Sequence, residues 1–191
     1  MNLMYEEFPM SILLEGEEIP IVTDFREYVK LIDILGDAEL SPYEKRSLIN
    51  QYFIDGSPEN FEGAMDVLAE FVTMKVLNNS EPESDEDNGE RKVKKELYSF
   101  EVDYPFIFSA FLHDYGINIR TVKYMHWWEF RMLFDGLSED TEIKQRIMYR
   151  NIDLSKIKDR DERKRIERIQ RSIKLPDDTL SDYDIGEAFG W

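Results

Sequence analysis

The sequence predicts a mainly α-helical protein: an N-terminal β-hairpin packed on a small helical unit, followed by a second helical unit. Three observations carry this expectation. Helix-start signals recur ahead of apolar stripes spaced at three and four residues. Near the N-terminus, two apolar runs instead flank a glycine-containing turn. A polar acidic run then divides the chain into two parts, each apolar enough for a core.

In chain order, Ser11–Leu14 and Ile19–Val22 form the arms of the hairpin around Glu15-Gly16-Glu17-Glu18. Pro20 has no amide to donate, which puts its arm at an edge. Thr23 or Asp24 caps the first helix, with a stripe of Phe25, Tyr28, Val29, Ile32 and Leu35 that stops near Gly36. Ser41-Pro42-Tyr43-Glu44 is a capping box with proline at the first helical position, followed by Leu48, Ile49, Tyr52 and Phe53. Ser57-Pro58 repeats the start signal before Phe61, Ala64, Met65, Leu68, Phe71, Val72 and Val76. Residues 1–77 therefore make a hairpin plus a three-helix unit. Residues 78–92 read as a flexible acidic linker, since 78–88 offer no apolar side chain to bury.

The second helical unit spans 93–175, and 176–191 form an acidic tail of little periodicity. Leu97 to Val102 reads as a short extended piece. Asp103 caps an apolar helix over Phe106–Tyr115 that ends at Gly116. Around Met125 to Leu137 lies the densest aromatic stretch, holding two of the three tryptophans. Trp127, Phe130, Phe134 and Leu137 share one stripe, and Trp128, Met132 and Leu133 widen it nearly all round. Gly136 is placed to end that helix in a left-handed conformation. Ser138 to Thr141 start a further helix running to about Tyr149. Asp159 then caps a basic helix with Ile166, Ile169 and Ile173 on one edge.

Composition narrows the function. No cysteine is present, which excludes disulfides, zinc-thiolate sites and thiol catalysis. No apolar run reaches the roughly 18 residues that span a bilayer, and the N-terminus lacks a secretory signal's basic region. A net charge of −17 opposes general nucleic-acid binding. That charge is uneven: residues 1–77 carry 16 acidic and 5 basic side chains, whereas 156–174 carry 4 and 9. Such a distribution can serve as a solvating surface or attract a charged partner or another copy.

Chemical motifs are absent: no phosphate loop, dinucleotide fingerprint or nucleophile elbow occurs. His113 and His126, the only histidines, match no metal spacing. His126 with Glu129 reads as a polar pair on the wet edge of an apolar helix rather than an acid–base couple. The reading is of a non-enzyme without cofactor or metal. Candidate interaction residues are Trp127, Trp128, Phe130, Phe134, Arg163, Lys164, Arg165 and Arg168. For the tryptophan pair both core and partner groove stay open, with Trp128 the better interface anchor because adjacent residues point about 100° apart on a helix.

Several runs also carry a resemblance. They are Phe106-Ile107-Phe108-Ser109-Ala110-Phe111-Leu112 through Tyr115-Gly116-Ile117, His126-Trp127-Trp128-Glu129-Phe130 with Leu133, Gly136 and Leu137, and Tyr149-Arg150 with Asp153-Leu154-Ser155-Lys156-Ile157 and Glu162-Arg163-Lys164-Arg165. Together they resemble a family named for gene product fifteen of a Listeria phage, from long-tailed phages and prophages of Gram-positive bacteria. The likeness is strongest from about Asp103 to Arg171 and looser through Ser11–Leu35. It implies a tail-assembly chaperone that binds the tape-measure protein, keeps it soluble and helps recruit major tail protein. Such a protein would work in the host bacterial cytoplasm as a homo-oligomer, without nucleic acid or membrane, and stay out of the mature virion. A structural tail completion or connector component is the alternative.

Overall fold

A computed structural model of the chain describes residues 3–77, 97–176 and 188–189. Glu15 and Gly16 both hold positive φ, 54° and 89°, as a two-residue I′ hairpin turn requires. That turn joins β1 (Ser11–Leu14) to β2 (Glu17–Pro20), with Leu14 opposite Glu17 and Ser11 opposite Pro20. Pairing thus begins two residues earlier than expected, because the turn needs only residues 15 and 16. The Ile21 amide still donates across the hairpin to the Met10 carbonyl, whereas the Val22 amide donates to the Tyr52 carbonyl, and Pro20 contributes only a carbonyl, accepting from Ile54.

Seven α-helices follow among the described residues. In α1 (Phe25–Gly36) the Asp24 carboxylate accepts the Arg26 amide as the cap. Its inward face is Phe25, Tyr28, Leu31 and Leu35; Val29 and Ile32 are only half-buried, because steps of three turn the stripe onto Leu31. At α2 (Pro42–Ile49) the capping box forms in both directions, and the Ser41 hydroxyl and amide hold the Glu44 carboxyl below its usual range. A 3-10 turn, Asn50–Tyr52, carries Tyr52 inward. The Ser57-Pro58 signal is not used. Gly56 bends the chain at φ 98°, and α3 (Phe61–Val72) starts instead from Asn60, whose side-chain oxygen accepts the Gly63 amide. Val76 lies beyond the helix end and is exposed.

After irregular residues 97–99 and a turn, where the sequence suggests an extended piece, comes α4 (Tyr104–Tyr115). It closes on Gly116 in the left-handed region. Next are α5 (Trp127–Asp135), α6 (Glu142–Asn151) and, after a 3-10 turn, α7 (Arg160–Ser172). The Asp159 carboxylate caps α7 by accepting two amides. Gly136 does not enter the left-handed region. Glycine is needed there for closeness instead, since a Cβ would stand 3.1 Å from the Tyr115 hydroxyl and 3.3 Å from the Met132 carbonyl.

The chain divides into two units. Among the described residues, one takes 3–77 with Tyr124–Phe130 and 188–189, and the other takes 97–123 and 131–176. The Trp-Trp segment, assigned along the sequence to 93–175, thus packs in the first unit, because its indoles find their acceptors at the end of α3. The linker assigned to 78–92 lies outside the described residues, as do 177–187 and 190–191 of the tail.

A buried ion pair ties the second unit. Arg150 on α6 is 4% exposed and Asp103 0%. The guanidinium meets both carboxylate oxygens, at 2.6 and 3.0 Å. It also donates to the Leu97 carbonyl at 3.0 Å and to the Ile173 carbonyl at 2.8 Å. Asp103 sits at the cap position of α4 but makes no side-chain cap bond; its carboxylate serves Arg150 and the Ser99 amide.

Candidate functional site

Every α-helix ends with carbonyls that have no partner in the helix. At the end of α3 the Phe71 and Val72 carbonyls each receive an indole N–H, from Trp128 at 2.8 Å and Trp127 at 2.9 Å. Two adjacent tryptophans therefore answer two adjacent carbonyls. Trp127 lies near Tyr28 (centroids 5.4 Å) and Phe130 (6.0 Å), while Phe130 stacks on Phe25 at 4.5 Å. Tyr28 is buried among these rings, which pushes its phenol well above its ordinary pKa, and it donates to the Val22 carbonyl. Trp127, Trp128 and Phe130 are core of the first unit. Phe134, packed by Tyr98 and Phe100, is core of the second. None of the four offers the partner groove left open by the sequence. Two buried indoles needing two acceptors was a readable signal; acceptors 55 and 57 residues upstream were not.

His126 is 2% exposed, not on a wet edge. Its Nδ1 lies 3.0 Å from the Trp128 amide and so accepts, which leaves Nε2–H to donate to the Pro9 carbonyl at 2.9 Å. Phe8 stacks on the ring at 4.9 Å. The imidazole is thereby fixed neutral, and burial holds its pKa below the ordinary 6.5, partly offset by the bond to Pro9. Between that lowered value and 6.5 the unfolded chain binds a proton that the native chain refuses, so stability rises with pH there. The contribution is complete above pH 6.5 and is lost on acidification below it. His126→Gln will flatten this part of the stability profile, measured by urea unfolding between about pH 5 and 8. A wild-type profile parallel to the variant's would rule out the neutral pocket.

The four cations singled out by the sequence sit on α7 and are all exposed. Arg163 donates to the Ile157 carbonyl. Arg160, Lys164 and Arg168 recur every fourth residue on the side away from buried Ile166. Among the described residues none of these three, nor Arg165, has a carboxylate partner. In the first unit, β2 and the loop before α3 enclose a cleft of about 490 Å³. Glu15, Glu17, Glu18, Asp55 and Glu59 line it without a basic residue, and the Asn60 amide is Glu15's partner. In a chain this acidic the proximity of carboxylates carries no signal in the sequence, so the cleft was not foreseen.

One further surface stands on α4, where Tyr104 and Leu112 are exposed and Phe108 half-buried, at successive fourth positions with no charged residue between them. Among the described residues no three His, Asp or Glu side chains come together as a metal site, and no helix is long and apolar enough to cross a membrane.

A protein-family model described as bacteriophage Gp15 protein matches residues 4–175. No curated protein matches the chain. No solved structure matches it either.

Proposed function

The chain belongs to the bacteriophage Gp15 protein family, and from that premise we propose that this phage structural or assembly-related protein is a non-catalytic tail-assembly chaperone. It binds the tape-measure protein, keeps it soluble in the host cytoplasm, and helps recruit major tail protein. Family membership over nearly the whole described chain is the observation that carries the reading. Two physical features support it. The uncharged stripe of Tyr104, Phe108 and Leu112 suits the apolar face of a helical client. The tryptophans, sealed in the core, do not serve as that surface. A net charge of −17 keeps a complex with an apolar client dispersed.

Co-expression tests this. The soluble yield of the tape-measure protein will rise with the wild-type chain and fall back with Leu112→Lys, which places a charge in the stripe. If the client is no more soluble with the wild-type chain than without it, the chaperone reading fails. Recovery of the chain in purified particles would favour a tail completion component instead.

A further inference from the structure

An exposed cation on a strongly acidic chain has many carboxylates to pair with, yet the outward face of α7 is unpaired among the described residues. From Arg160 to Ser172 the helix carries six basic and three acidic side chains, against −17 for the whole. The cleft beside β2 is its opposite: Glu15, Glu17, Glu18, Asp55 and Glu59 face it with no cation. Leu14, Ile19, Pro20 and Pro58 give the same cleft apolar walls. We propose that α7 of one molecule docks in the acidic cleft of a second copy of this chain.

The occupant follows from charge. Nucleic acid would bring phosphates toward a molecule of net −17, whereas the second copy supplies a carboxylate cluster matched to the basic face. At physiological salt charges are screened beyond about 8 Å. The docked helix therefore responds to the five carboxylates in contact with it more than to the distant remainder of either molecule. The contact joins unlike faces, so it closes as a two-fold dimer if each α7 reaches the other's cleft, and otherwise repeats from copy to copy as a larger ring or a filament. This pairing needs no client and stands apart from the chaperone reading.

Sedimentation velocity on the purified full chain tests it. The wild type will show species above the 22.8 kDa monomer that grow with concentration. Lys164→Glu/Arg168→Glu will lose them, as will Glu17→Lys/Glu18→Lys. An equimolar mixture of the two will regain them, since each variant keeps the face the other needs. Lys164→Gln/Arg168→Gln, neutralised rather than reversed, will also sediment as monomer while keeping wild-type circular dichroism. A monomeric wild type, self-association unchanged by either reversal, or a mixture that stays monomeric overturns the proposal. Reversals on α7 that abolish client binding but leave self-association intact would assign the helix to the client, and overturn it equally. Client solubility in the co-expression assay is scored separately, so the two readings can fail independently.

Discussion

Arg150→Met will destabilise the second unit by about 3–5 kcal/mol, the usual consequence of leaving a buried charge without its partner. Asp103 is fully buried, and the substitution removes both of its guanidinium bonds. The Leu97 and Ile173 carbonyls lose their donor in the same step. Replacing both charges, Asp103→Leu/Arg150→Met, will recover only part of the loss. The isolated charge is gone, but the two carbonyls and the Ser99 amide remain without the side-chain partners they had. Guanidinium unfolding of the two variants beside the wild type measures the effect. A single-variant cost under about 1 kcal/mol would mean that the pair ties nothing together.

Trp128→Ala will cost about 3–5 kcal/mol, the range for truncating a buried aromatic ring. Conservative replacements divide the two tryptophans more finely. The Phe71 carbonyl accepts from the Met74 amide as well as from Trp128, so Trp128→Phe leaves it one donor. Among the described residues the Val72 carbonyl has Trp127 as its partner. Trp127→Phe therefore strips a buried carbonyl and costs about 1–3 kcal/mol, more than the same change at 128. Thermal or urea unfolding resolves the order, and the reverse order would sink the account of the indoles as caps of α3.

Features decided by neighbours in the chain were legible. The Ser41–Glu44 capping box, the Asp24 and Asp159 caps, and the Gly116 stop all rest on bonds within four residues and appear where the sequence places them. So does the mainly helical class with its hairpin. Ser57-Pro58 failed because a second cap, Asn60, lay three residues on beyond the Gly56 bend, and composition does not rank two competing caps. Features decided by distant partners were not legible. Whether Trp128 is core or surface depends on a carbonyl 57 residues away. Whether His126 is wet depends on Pro9, and Arg150 gave no sign of serving residues from 97 to 173. The basic character of α7 was visible in the charge count, but the cleft opposite in sign was not, since it assembles from β2 and a loop some forty residues apart in the chain.

The indole caps also impose an order of events on the ribosome. The first unit's third helix is synthesised well before Tyr124–Phe130 emerges, so its terminal carbonyls wait while the intervening polypeptide is translated. A nascent chain halted before Tyr124 would hold an N-terminal portion missing two of its largest buried rings, however intact its own hairpin and helices. Trimming at the acidic segment after residue 77 would not release a finished piece.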